Sequence, residues 1–194
     1  MKWTSPNKKV RFIDLFCGIG GFRIAAEQAL ASKGLIGECV FSSDIDTYAQ
    51  IAYEANFGEK PAGDITKINE KDIPDHDLLL AGFPCQPFSI IGDMKGLEDT
   101  RGTLFFDIAR ILKEKKPKAF VLENVKQLVG HDKGRTMKTI YSVLTDLGYT
   151  VEHKVLNALD FGLPQKRERV FIVGYLGTMT FPWVKEKTPM QPLS

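Results

Sequence analysis

The residues whose types and spacing suit chemistry fall in a few short stretches. Cys85 lies in AGFPCQPFS (residues 81–89), between Pro84 and Pro87. Each proline fixes its own φ, removes an amide donor and disfavours helix in the residue before it, so Cys85 is held on a rigid extended turn. By itself such a thiol reads as a small core hydrophobe, the usual state of an unpaired cysteine. Glu123 ends the apolar run VLEN. A carboxyl at a partly dehydrated strand end can keep a proton to donate, and a solvated strand-end glutamate is the plainer alternative. A positioned thiol and a protonatable carboxyl on neighbouring strand ends would suit covalent catalysis.

Other stretches suggest a ligand. In FIDLFCGIGGFRIA (residues 12–25) a strand leads through Gly18, Gly20 and Gly21 into a helix, bringing backbone N–H groups close to an anionic group. The spacing is GxGG and not the GxGxxG of a dinucleotide site, and a tight turn with close helix packing would use the same glycines. Asp44 ends the second strand, where a carboxylate can accept both hydroxyls of a ribose. Asp46, and less readily Asp44, reads equally as the cap of the helix that starts near Thr47. Asp64, in AGDIT, is placed to bond an adenine amine, with Ile45 and Ile65 offering apolar faces to the base. These residues together suit an adenosine-type cofactor whose anionic end need not be phosphate. In QKRERVFIVG (residues 165–174), alternation puts Arg167 and Arg169 on one side of an extended segment, toward an oxygen-rich ligand, and leaves Lys166 to solvent. The glycine-rich, charged stretch GDMKGLEDTRGTLF (residues 92–105) has the composition of a loop that closes over substrate.

The elements needed to position these groups follow from periodicity. VRFIDLF, ECVFSSD, DLLLAGF, KAFVLEN, TVEHKVLNA and RVFIVGY read as strands. GFRIAAEQALASKG, DTYAQIAYEANFG, TLFFDIARILKEKK and GRTMKTIYSVLTDLGY read as helices, with Gly34, Gly58 and Gly148 as stops. Near-regular alternation predicts an α/β fold, a doubly wound, Rossmann-like and mostly parallel sheet whose ligands bind beyond the carboxyl ends of the strands. Gly18 to Gly21, Asp44, Pro84 to Ser89, and Glu123 with Asn124 all follow apolar runs.

The chain has 194 residues, 43% of them hydrophobic, enough for one well-buried domain. We place that domain at residues 1–176 and read 177–194, with its three prolines, as a linker or tail. Three widely spaced cysteines without a CxxC pair, and three histidines without ligand spacing, point to neither a disulfide framework nor a metal site. No cleavable leader is evident and no apolar run approaches membrane-spanning length, so a cytoplasmic protein is expected. A net charge of +2 permits a nucleic-acid partner without requiring one.

Taken in order, FIDLFCGIGGFRIA, SSDIDTYAQ, GDIT, GFPCQPFS, GLEDTRGTLFFDIARI, FVLENV and FGLPQKRERVFIVG resemble the cytosine carbon-5 DNA methyltransferases that use S-adenosylmethionine. The resemblance runs from about residue 11 to 175. It implies the class I methyltransferase fold, with Phe16, Gly18, Gly20, Gly21, Asp44, Ile45, Asp64, Ile65, Pro84 and Leu104 holding S-adenosylmethionine. It further implies Cys85 as nucleophile, Glu123 at the cytosine ring nitrogen, Arg169 at the ring carbonyl oxygen with Arg167 beside it, and Gln86, Ser89 and Arg101 at the DNA. Carbon 5 of cytosine is a poor nucleophile, and thiolate addition at carbon 6 makes it enamine-like. Because carbon 6 is reached from the ring face, the base must leave the duplex stack, at a cost of about a few kcal/mol.

Members of this family continue past the FIVG strand into a target-recognition domain and a closing helix that packs beside the first motif, and neither is found in this sequence. The expectation is the catalytic part of a split or truncated enzyme of a restriction-modification system, with a second polypeptide supplying recognition and closing segments. Such a chain would transfer methyl groups weakly or not at all by itself, and would show an apolar patch beside its first helix. The alternatives are a tRNA cytosine-5 methyltransferase, a catalytically inactive binding or regulatory module, and a nicotinamide dehydrogenase, which would give Cys85 and Glu123 no role.

Overall fold

The computed structural model describes residues 8–84, 104–184, 187 and 188. Its strands are β1 (Lys9–Leu15), β2 (Ile36–Ser43), β3 (Leu78–Gly82), β4 (Ala119–Val125), β5 (Tyr149–Asn157) and β6 (Glu168–Leu176). The helices are α1 (Gly21–Ala31), α2 (Thr47–Phe57), α3 (Leu104–Lys115) and α4 (Arg135–Asp146). The strands form one six-stranded sheet in the order β2-β1-β3-β4-β6-β5. β1 pairs in parallel with both β2 and β3, so the order reverses between β1 and β3, and the crevice at their carboxyl ends is the topological switch point.

β6 runs antiparallel to both β4 and β5. The ten residues between Asn157 and Glu168 hold one short 3₁₀ turn, Ala158–Asp160, too little chain for a helical crossover, so β6 must return in the opposite direction. This hairpin is why the sheet is mostly and not wholly parallel.

On one face, Ile13, Leu15, Leu79, Phe120, Leu122 and Ile172 form a continuous core with α3 and α4. α4 meets it through Met137, Ile140 and Leu144, spaced three and four residues apart as one helical face requires. α1 covers the opposite face, where Gly37 permits close approach of Leu30 and Phe12. The two layers are unequal: α3 fully buries Phe105, Ile108, Ile111 and Leu112 among others, whereas α1 has no buried residue. Beyond the end of α1 lies a groove of about 880 Å³, lined by Leu35, Leu78, Ala119, Val121, Val173 and Tyr175 among others, along the amino ends of β3 and β4.

Glycine stops end the helices broadly where the sequence places them. Asp46 caps α2 by accepting from the Tyr48 and Ala49 amides, and Gly58 closes it at φ 73°. The described residues after Leu176 are held to β5: the Phe181 amide and Trp183 Nε1 donate to the Glu152 carboxylate at 2.8 and 3.0 Å. Among the described residues no helix is long and apolar enough to cross a membrane.

Candidate active site

A cleft of about 500 Å³ opens at the switch point, at the carboxyl ends of β1, β2 and β3. Phe16, Asp44, Ile45, Asp64, Ile65, Pro84 and Leu104, all singled out in the sequence, line it. Ser43, Gly63, Thr66 and Gly82 complete the wall. Phe16 takes φ 55°, a left-handed conformation that costs a bulky residue energy and recurs at functional sites.

Asp44 ties two strand ends together. Its Oδ2 accepts from the Gly18 amide at 2.8 Å and its Oδ1 from the Asp46 amide at 2.9 Å. Since Asp46 caps the helix, Asp44 is free of that duty, and each carboxylate oxygen keeps a lone pair for a further donor. Gly18, Gly20 and Gly21 stand behind the lining. Gly18 and Gly20 take φ 54° and 93°, and a Cβ on Gly20 would run into the Phe57 ring, so the turn and close helix packing use these glycines directly. Asp64 accepts from the Thr66 amide at 3.0 Å and from its hydroxyl at 2.7 Å. Those Thr66 bonds come first in holding its carboxyl below the usual range.

The lining fits an adenosine-type ligand. Two carboxylates face it across apolar walls, and Ser43 Oγ is buried with no hydrogen-bond partner, a cost that a polar ligand atom would remove. The volume falls within the range of small-molecule sites.

Beside the cleft, β4 and β6 bring a second group together. Gly82 pairs in register with Glu123, and Arg169 with Val125. Glu123 Oε1 lies 2.9 Å from Arg169 Nε, both side chains about three-quarters buried (21% and 25% exposed). A Cβ on Gly82 would sit 3.7 Å from Glu123 Oε2, an ordinary contact distance, so the carboxylate lies beside the Gly82 wall of the cleft. Arg167 is exposed just before β6, its amide donating to Asn157 Oδ1 at 3.1 Å.

Asn124 is buried and donates from Nδ2 to the Phe83 carbonyl at 3.0 Å. It thus braces β3 where it runs into Pro84. Its place beside Glu123 was the available signal, but sequence alone did not give it a partner. Cys85, Gln86, Ser89 and Arg101 lie outside the described residues. The other two thiols are poor nucleophiles: burial pushes Cys17 far above the usual thiol range and Cys39 up to about 11.

A family model described as C-5 cytosine-specific DNA methylase matches residues 10–193. The chain belongs to this family.

Among similar methylases, type II methyltransferase M.HaeII of Haemophilus aegyptius is 60% identical over 187 residues, which cover 96% of this chain and 57% of that protein. M.NgoBI of Neisseria gonorrhoeae is 59% identical over 181 residues, 93% of this chain and 55% of the relative. The chain therefore spans a little over half the length of these curated relatives. Its fold is that of the class I methyltransferases. S. pombe Dnmt2 superposes with a TM-score of 0.69 at 24% identity, covering 89% of this chain and 51% of that one. Entamoeba histolytica EhMeth gives 0.72 at 23%, covering 94% and 58%.

Proposed function

We propose that the chain transfers a methyl group from S-adenosylmethionine to carbon 5 of cytosine in DNA, through a covalent adduct at Cys85. The observation that carries this reading is the convergence at Gly82, which lines the cleft and also lies beside the Glu123–Arg169 pair. Pro84 lines the same cleft and Cys85 follows it directly.

In this reading Asp44 holds the ribose hydroxyls, Asp64 the adenine amine, and Phe16, Ile45, Ile65, Pro84 and Leu104 the apolar faces, with Gly18, Gly20 and Gly21 shaping the turn behind them. Bound there, S-adenosylmethionine supplies an electrophilic sulfonium methyl. The Cys85 thiolate adds to carbon 6, and Glu123 donates a proton or hydrogen bond to the ring nitrogen. Arg169, freed from its ion pair or sharing it, bonds the ring carbonyl oxygen, with Arg167 beside it. Once carbon 5 carries the methyl group, loss of its proton and expulsion of the thiolate restore the aromatic ring. Gln86, Ser89 and Arg101 contact the DNA from which the base has been flipped. The match to a DNA methylase family model, with identity near 60% to type II methyltransferases, favours DNA over tRNA.

The reaction further needs what the longer relatives carry, supplied by a second polypeptide or by further chain. The apolar groove beyond α1 and the span of 57% of M.HaeII support this. Residues 1–176 would be the catalytic unit, with 177–194 leading toward target recognition, in a cytoplasmic restriction-modification setting.

The decisive experiment is trapping on duplex DNA containing 5-fluorocytosine, with S-adenosylmethionine and the missing segments of a relative supplied. Fluorine cannot leave as the carbon 5 proton does, so a denaturant-stable adduct mapping to Cys85 is expected, and Cys85→Ala should abolish it. No adduct under these conditions, or one on tRNA only, would overturn the reading.

A further inference from the structure

Arg110, on α3 and outside the cleft lining, makes four hydrogen bonds with its guanidinium. Nε donates to Asp107 Oδ1 at 2.9 Å, within its own helix. Nη1 donates to the Ile68 carbonyl at 2.9 Å and to Glu70 Oε2 at 2.7 Å, and Nη2 to the Ile65 carbonyl at 2.7 Å. The segment it grips is weak by itself. Ile65–Lys67 is a 3₁₀ helix of three residues, whose capping bonds are those of Asp64 to Thr66 and of the Ile68 amide to the Ile65 carbonyl. That segment forms one wall of the cleft through Asp64, Ile65 and Thr66, and Leu104, at the first position of the Arg110 helix, forms another.

We propose that Arg110 is a positioning residue that fixes the Asp64–Thr66 wall at its distance from Leu104, and so sets the affinity for the adenosine end of S-adenosylmethionine. The inference rests on the cofactor reading above. A guanidinium suits this task because it is a rigid planar fork whose donors point in fixed directions to several carbonyls at once. An ammonium keeps the charge but cannot serve Ile65, Ile68, Glu70 and Asp107 together. Loss of the bonds to Ile65 and Ile68 would let the wall move without emptying the core, since the Arg110 side chain is 26% exposed.

The test is calorimetric titration of S-adenosylmethionine, and separately of adenosine, into the unaltered chain and the Arg110→Lys and Glu70→Gln variants, with thermal melting of each. Arg110→Lys should raise Kd for both ligands by about tenfold, the loss of one to two charge-assisted bonds. Binding stoichiometry should stay unchanged. Glu70→Gln, which removes only the charge of a partly exposed partner, should weaken both ligands in the same direction by about two- to threefold. A merely structural role would instead lower the melting temperature and the competent fraction at constant Kd. Unchanged Kd in Glu70→Gln together with unchanged Kd, or no folded protein, in Arg110→Lys overturns the inference. Failure of the unaltered chain to bind S-adenosylmethionine overturns the cofactor reading and this inference with it, and is distinguished by that control.

Discussion

Gly82 stands where the two groups of residues meet: it lines the cleft and lies in contact distance of the Glu123 carboxylate. Asp14 is a different case, a carboxyl within the FIDLF strand that no sequence argument singled out. It is fully buried, neither oxygen has a well-formed hydrogen bond, and burial pushes its pKa up to about 8 against the pull of nearby Arg23. The folded chain keeps this proton to about pH 8, whereas the unfolded chain releases it near the ordinary value of 3.8. Folding therefore takes up a proton between those values, and the Asp14 contribution to stability is lost as pH rises through that window. Urea melts of the unaltered chain and of Asp14→Asn should diverge from pH 5 to pH 8, with the variant gaining on the order of 4 kcal/mol and a plateau above pH 8. Parallel curves would show that the carboxyl is solvated or paired.

At the scale of elements, the glycine turn after β1 joins site and scaffold. Gly20 lies at φ 93° against Phe57 of α2, so the entry to α1 and the packing of α1 on α2 are set by one missing Cβ. Gly20→Ala should cost about 2 kcal/mol in a denaturant melt, and Phe57→Leu in the same chain should recover part of it by clearing the ring. Equal losses with and without that relief would mean that φ alone carries the cost. The GxGG spacing was legible in the sequence, but both of its readings remained open there. In the structure Gly18 and Gly20 take positive φ in the turn and Gly20 packs against Phe57, while Asp44, bonded to the Gly18 amide, reaches the cleft. The reversed β6 was not legible from its own residues, because an apolar run of that kind reads the same in either direction, and only the short link after β5 decides it.

At the scale of the molecule, the two faces of the sheet differ. Sheets of this plan bury both faces, and here α3 and α4 cover one while the other keeps an apolar groove beyond α1. The chain alone should bind a hydrophobic dye and methylate duplex DNA slowly. Adding the segment of M.HaeII beyond the matched part should displace the dye and raise the rate at least about tenfold, through the linkage of binding to the competent state. Leu78→Lys, on the groove and distant from the cleft, should block both effects. Rapid, sequence-specific methylation by the chain alone would overturn this expectation.

Local chemistry explains which features the sequence determined by itself. Proline flanks, strand-end acids, helix stops and strict strand-helix alternation depend on a few neighbouring residues, so the doubly wound plan and the cleft acids could be read directly. Asn124 bracing Phe83, the Glu123–Arg169 pair, the contact of Gly82 with Glu123 and the grip of Arg110 on Ile65 each join residues from separate elements. Partners so distant along the chain leave no periodicity to read. They meet only because β3, β4 and β6 pair in a particular register and α3 packs across them, and that long-range geometry is what the tertiary structure decided.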